Sequence, residues 1–132
     1  MDREIKFIGQ ILDNVHGFIP YTEAEKKIMD TLLFKRLQGI KQLSVVNWIF
    51  PGSEHTRFIH SVGVMHIADK IAVSLGLSTR ERRILRLAGL LHDIGHYPLS
   101  HVGEAPYKHP MSLEELPDND FCRKLNERVI DD

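Results

Sequence analysis

An all-α fold, built as an irregular bundle of helices, is what this sequence predicts. Three observations carry the prediction. Apolar residues recur at spacings of three and four over two long stretches. The strict alternation of a half-buried strand is nearly absent. Two segments open with a hydroxyl residue followed three positions later by a glutamate, which is the form of a helix-capping box.

The elements follow in order. Ile5, Ile8, Ile11 and Leu12 mark a first short element, helix or strand, which Pro20 is expected to close. Thr22-Glu23-Ala24-Glu25 is the first capping box, and its helix is expected to run through Leu32 and Leu33 to about Leu37. Gly39 breaks the chain. Residues 40–54, with Val45, Val46, Trp48 and Ile49 before Pro51-Gly52, read as an irregular or partly helical segment ending in a turn. From about His55 to Leu75, the residues Phe58, Val62, Met65, Ala68, Ile71, Ala72 and Leu75 fall on one helix face, and Gly76 ends the helix. Ser78-Thr79-Arg80-Glu81 is the second capping box. It opens a helix with Ile84, Leu87, Ala88 and Leu91 on one face, widened by Leu85 and Leu90, that ends near His92-Asp93-Ile94-Gly95. A segment from Pro98 to Val102, a loop with Pro106 and Pro110, and an amphipathic stretch near 119–130 complete the chain.

The 132 residues suggest one domain, and 42% hydrophobic with 27% charged residues is the balance of a soluble globular protein. A net charge of -1 gives no large basic surface, so nucleic acid is not indicated as a partner, whereas a locally positive pocket could still take a small anion. Cys122 stands alone, which excludes an internal disulfide and fits a reducing compartment; it reads as a plain helix residue. The start Met1-Asp2-Arg3-Glu4 lacks the basic and apolar run of a signal peptide, and no stretch approaches the roughly 20 apolar residues of a membrane span. The expected location is cytoplasmic, with no membrane partner.

Eight histidines are the compositional oddity. His92 and Asp93 are adjacent at the end of the second apolar helix. Helix neighbours point about 100° apart, so they can share a metal only at a helix end or edge. His60 lies on the other long helix. If the two helices pack, imidazole and carboxylate ligands converge, a donor set suited to Zn, Fe, Mn or Ni. Such a metal would polarise a phosphoryl oxygen or generate a nucleophile from water at neutral pH. His96, His101 and His109 follow closely as candidate general acids or outer-shell donors. On their own, a His-Asp pair and scattered histidines are equally compatible with capping or surface roles. Trp48 reads as packing, with base stacking as the alternative. Arg80-Glu81-Arg82-Arg83 with Arg86 reads as a solvated face balanced by nearby acids. His66 reads as structural, and His16 carries no assigned chemistry. Tyr97 and Tyr107 flank the histidines as candidate pocket walls.

Three blocks between Phe34 and Glu104 resemble the HD-domain superfamily, and within it the deoxynucleoside triphosphate triphosphohydrolase branch. They are Lys41-Gln42-Leu43 with Phe50-Pro51-Gly52, His55-Thr56-Arg57-Phe58-Ile59-His60-Ser61-Val62-Gly63-Val64, and Leu90-Leu91-His92-Asp93-Ile94-Gly95-His96-Tyr97-Pro98-Leu99-Ser100-His101. The resemblance implies that residues 1–132 form a single, partial HD domain with its motif-bearing core at about 34–104. It implies that His60, His92 and Asp93 are three of four ligands to a divalent metal (Mn, Fe, Zn, Ni or Mg). His96 and His101 would line the catalytic site, with His109 a looser match to a later catalytic histidine. Arg57 would contact substrate phosphate and Gln42 would lie near the sugar. The implied partner is a dNTP-like nucleotide and the implied reaction yields deoxynucleoside and triphosphate.

Two departures stand against this. Ile59 occupies a position where the family pattern has an acidic residue. The fourth ligand of the family is an aspartate far downstream, and Asp118, Asp120, Asp131 and Asp132 are not in its context, so a truncated domain is expected. The alternative expectation is a non-catalytic nucleotide-binding module or a homo-oligomerisation unit derived from an HD domain.

Overall fold

The computed structural model describes residues 4–98. Within them the order is β1 (Gly9–Asp13), β2 (Gly17–Tyr21), α1 (Glu23–Met29), α2 (Leu32–Lys35), 3-10 turns at Arg36–Gly39 and Val46–Trp48, α3 (Arg57–Ser74) and α4 (Thr79–Leu91). The all-α expectation holds, with one small hairpin added.

That hairpin resolves the segment whose spacing left helix and strand open. β1 and β2 pair antiparallel with Ile11 opposite Ile19. Asp13 ends β1 and its carboxylate accepts the backbone N–H groups of Val15 and His16 at 3.3 and 2.9 Å. Gly17 follows at φ +72°, the left-handed conformation that closes a short hairpin loop. Pro20 does not close the segment. It lies inside β2 opposite Gln10, which a two-stranded sheet tolerates because both of its strands are edges.

The Thr22 capping box forms as predicted, with Glu25 accepting the Thr22 N–H at 2.7 Å. The helix it opens is shorter than expected, because Asp30 and Thr31 interrupt it. The Thr31 hydroxyl donates to the Ile28 carbonyl at 2.7 Å and accepts the Phe34 N–H at 3.2 Å, ending one helix and capping the next. Phe34 and Leu37 are then completely buried, while Leu32 and Leu33 face outward.

The long helices α3 and α4 form the framework. Thr56 caps α3. At its other end Gly76, at φ +65°, sends its N–H to Val73 while Leu77 bonds back to Ala72, a Schellman closure that turns the chain directly into the Ser78 cap of α4. The buried face of α4 differs from the expected one. It is Arg86, Gly89 and Leu90, continued by Asp93, at positions i, i+3, i+4 and i+7, while Ile84, Leu85 and Ala88 are exposed. Gly89 sets this rotation. A Cβ there would meet the backbone of Met65 at 3.1 Å, tighter than an ordinary contact, so the helices would have to move apart by a few tenths of an ångström to admit one. The shared core is Ile19, Met29, Phe34, Leu37, Ile40, Val62, Met65 and Leu90.

Arg86 corrects the reading of the arginine run as a solvated face. Its side chain is completely buried. It grips Glu25 with two bonds of 2.7 and 2.9 Å, donates to Asp69 at 3.0 Å and to the Pro20 carbonyl at 2.8 Å. Arg82 pairs with the same Asp69. The hairpin, α1, α3 and α4 are thereby tied at one guanidinium. Trp48, read as packing, is instead 81% exposed, because the 3-10 turn that carries it lies outside the core. Among the described residues no helix is long and apolar enough to cross a membrane.

Candidate metal centre

The rotation that buries Gly89 and Leu90 also carries Asp93 inward, two residues beyond the end of α4. His92 is the C-cap of that helix. The chain then tightens, with Ile94 N–H bonding to Leu91 and His96 N–H to Asp93 at 3.1 and 3.0 Å. The two adjacent ligand candidates thus stand at a helix end, where neighbours can face one point. Arg36 holds this turn from the outside, donating to the carbonyls of Ile94 and His96 at 2.7 and 2.9 Å.

His60, in the first turns of α3, faces the turn. Its Nε2 lies 3.7 Å from Asp93 Oδ2, and His92 Nε2 lies 3.5 Å from Asp93 Oδ1. The imidazoles of His60 and His92 meet edge to face with centroids 5.2 Å apart. One ligand atom from each of His60, His92 and Asp93 lies within 4.8 Å of the others, so the cluster could hold a metal ion. Its chemistry fits such an ion. His92 Nδ1 is 2.7 Å from the Gly89 carbonyl, which can only accept, so Nδ1 carries a proton and Nε2 is the atom left to face an ion. Burial holds the His60 imidazole below its ordinary range, in the neutral form a metal requires. When bound there, a divalent ion supplies polarisation of a phosphoryl oxygen and a nucleophile at neutral pH.

Arg57 belongs to the same cluster. It is 3% exposed, and its Nη1 donates to Asp93 Oδ2 at 2.6 Å. Gln42 lies close in the backbone frame. Its N–H bonds to the His55 carbonyl at 3.1 Å and Arg57 N–H bonds to Ile40 at 2.8 Å, which lays residues 40–42 against the start of α3. His96 follows on the turn, half-buried, outside the three-residue cluster. His101 and His109, with Cys122, Tyr107 and the downstream aspartates, lie outside the described residues. Beside the cluster, an open groove of about 580 Å³ runs between the hairpin loop and α3, with His16, His55, Ile59 and His60 on its walls.

Two contributors escaped the sequence reading. Arg36 has no signal that separates it from a solvated arginine. The contact of Arg57 with a ligand candidate 36 positions away requires the α3–α4 packing to be known.

Residues 57–129, more than half of the chain, match the HD domain family. The chain is a member of the HD domain family. Similar proteins include the deoxynucleoside triphosphate triphosphohydrolase SAMHD1 homolog of Dictyostelium discoideum, 35% identical over 129 residues that cover 92% of this chain and 25% of that protein. The deoxynucleoside triphosphate triphosphohydrolase SAMHD1 of Bos taurus is 42% identical over 113 residues, 80% of this chain and 19% of that protein. A crystal structure of a hypothetical protein from Aquifex aeolicus superposes with a TM-score of 0.67 at 43% identity, covering 72% of this chain and 25% of that one. The HD-domain chain therefore spans a quarter or less of these relatives.

His66 lies against His16 with ring centroids 5.6 Å apart. Burial, then the nearby Lys70, His16 and Arg86, push the His66 imidazole below its ordinary range, against a small opposing pull from Asp69. His60 is shifted the same way. The unfolded chain then binds more protons than the folded one, so stability is fully present above the unfolded value of about 6.5 and falls as pH drops through it. Urea unfolding followed from pH 7.5 to 5.5 is expected to show a falling midpoint, less steep in His66→Asn. A flat profile in both proteins would contradict this.

Proposed function

We propose that this HD domain carries the metal centre of a nucleotide phosphohydrolase that converts dNTP to deoxynucleoside and triphosphate, adding water across the ester bond between them. The observation that supports it is the convergence of His60, His92 and Asp93, with ligand atoms within 4.8 Å and Nε2 of His92 left to face an ion. In this reading those three residues hold a divalent metal. His96, His101 and His109 move protons. Arg57 and Gln42 hold the phosphate and sugar. The names of the relatives from Dictyostelium discoideum and Bos taurus point to the same substrate class.

The test is to incubate the full chain with each dNTP and Mn(II) and to follow the phosphorus products by NMR. Tripolyphosphate appearing with free deoxynucleoside, and only with metal present, is the expected result. Pyrophosphate or inorganic phosphate as the first product would place the cut elsewhere and exclude the triphosphohydrolase reading.

A second reading is a nucleotide-binding or self-associating module. The exposure of Trp48, Ile49 and Phe50 on one short segment favours it. It predicts nucleotide binding without turnover, or a mass in solution above that of one chain.

A further inference from the structure

We propose that Arg57 competes with the divalent cation for Asp93 and so holds the metal affinity of the centre down. This rests on the metal-site reading above and adds to it a residue that tunes loading.

The geometry divides the Asp93 carboxylate between partners. Oδ1 faces His92 Nε2 at 3.5 Å. Oδ2 faces His60 Nε2 at 3.7 Å and also receives Arg57 Nη1 at 2.6 Å. A cation that meets His60 and the Asp93 oxygen nearer to it, Oδ2, shares that oxygen with a guanidinium. The Arg57 and Asp93 side chains are 3% and 11% exposed, so little water screens two positive centres gathered on one carboxylate. An arginine cannot relieve this by losing its proton.

The competing role for Arg57 is that of an outer-shell partner that merely orients Asp93. The two roles predict opposite signs. Loss of an orienting partner weakens metal binding, typically by about 10–100-fold. Loss of a competitor strengthens it. A purely structural arginine also fails to give tighter binding when removed, which makes the sign of the change the diagnostic readout.

The experiment is Mn(II) titration of the chelator-treated full chain, with free Mn(II) read by electron paramagnetic resonance, on wild type, Arg57→Gln and Arg57→Lys. Circular dichroism establishes that each is folded. Arg57→Gln is expected to bind roughly tenfold tighter or more. Arg57→Lys keeps the charge but withdraws it from Oδ2, and gives a smaller gain in the same direction; it carries the test if the glutamine variant does not fold. Metal binding that is normal in wild type and unchanged or weaker in the folded Arg57 variants overturns this inference alone. Absence of binding that depends on His92 and Asp93 in the wild-type chain removes the metal-site reading, and this inference with it.

Discussion

Replacing Asp93 with alanine is expected to abolish metal-dependent turnover while leaving the helical fold in place. Asp93 faces both imidazoles, His60 through Oδ2 and His92 through Oδ1. Its removal takes the only carboxylate that the described residues bring to the cluster and leaves two imidazole nitrogens, a donor set with no negative charge to offset a divalent cation. Loss of an outer-shell partner alone costs about 10–100-fold in metal affinity or activity, so loss of this oxygen donor is expected to exceed roughly 100-fold. Turnover of dNTP under saturating Mn(II), compared between wild type and Asp93→Ala, checks this. Arg57 loses its bond to the Asp93 carboxylate in the variant, so a drop in melting temperature is also expected. Turnover within a few-fold of wild type would mean that the chemistry does not pass through this cluster.

Arg86→Met is expected to cost the most stability of any single change outside the site, about 3–5 kcal/mol. The guanidinium is completely buried and is the partner of Glu25, itself buried. Methionine fills much of the volume but leaves Glu25 as a buried carboxylate that has lost its bidentate partner. It also leaves Asp69 with Arg82 alone, and removes a donor from the Pro20 carbonyl. The penalty falls on Glu25, so it should be partly relieved by neutralising it. Glu25→Gln in the Arg86→Met background keeps an acceptor for the Thr22 N–H, and is expected to recover part of the loss. Urea unfolding of the two single variants and the double variant measures the coupling. A loss below about 1 kcal/mol for Arg86→Met would show that the network is not holding the hairpin and α1 to the long helices.

The sequence made the helical fold legible where the signal is local. The capping boxes at Thr22 and Ser78 and the stop at Gly76 mark where helices begin or end, and all three are read from single residues and their immediate neighbours, whereas the Thr56 cap of α3 emerged only from the structure. The inward face of α4 was not legible in the same way. Its apolar stripe points to Ile84 and Ala88, but its orientation is set by a close approach at Gly89 and by burial of Arg86, whose partners are 17 and 61 positions away. A buried charge reads as a surface residue until its counter-charges are placed. The hairpin was ambiguous because its strands are five residues each, too short for alternation to outvote a helical spacing.

The candidate site was legible to a different depth. Spacing shows only that His92 and Asp93 could share an ion at a helix end with His60 opposite; the choice of these three over a capping or surface role comes from the resemblance of the three motif blocks to HD domains. The position of Arg57 on Asp93 could not be chosen, since an arginine one turn before a histidine carries no mark of which carboxylate it will meet. Arg36 was missed for the same reason, its two acceptors being backbone carbonyls about 60 positions downstream.

The central claim is that His60, His92 and Asp93 assemble into a metal site. Its most direct test is elemental analysis by mass spectrometry of the purified full chain beside a variant carrying both His92→Ala and Asp93→Ala. Near-stoichiometric Mn, Fe, Zn or Ni in the wild type that vanishes in the variant is the predicted result. No metal in either protein after incubation with Mn(II) or Fe(II), or equal metal in both, would contradict it.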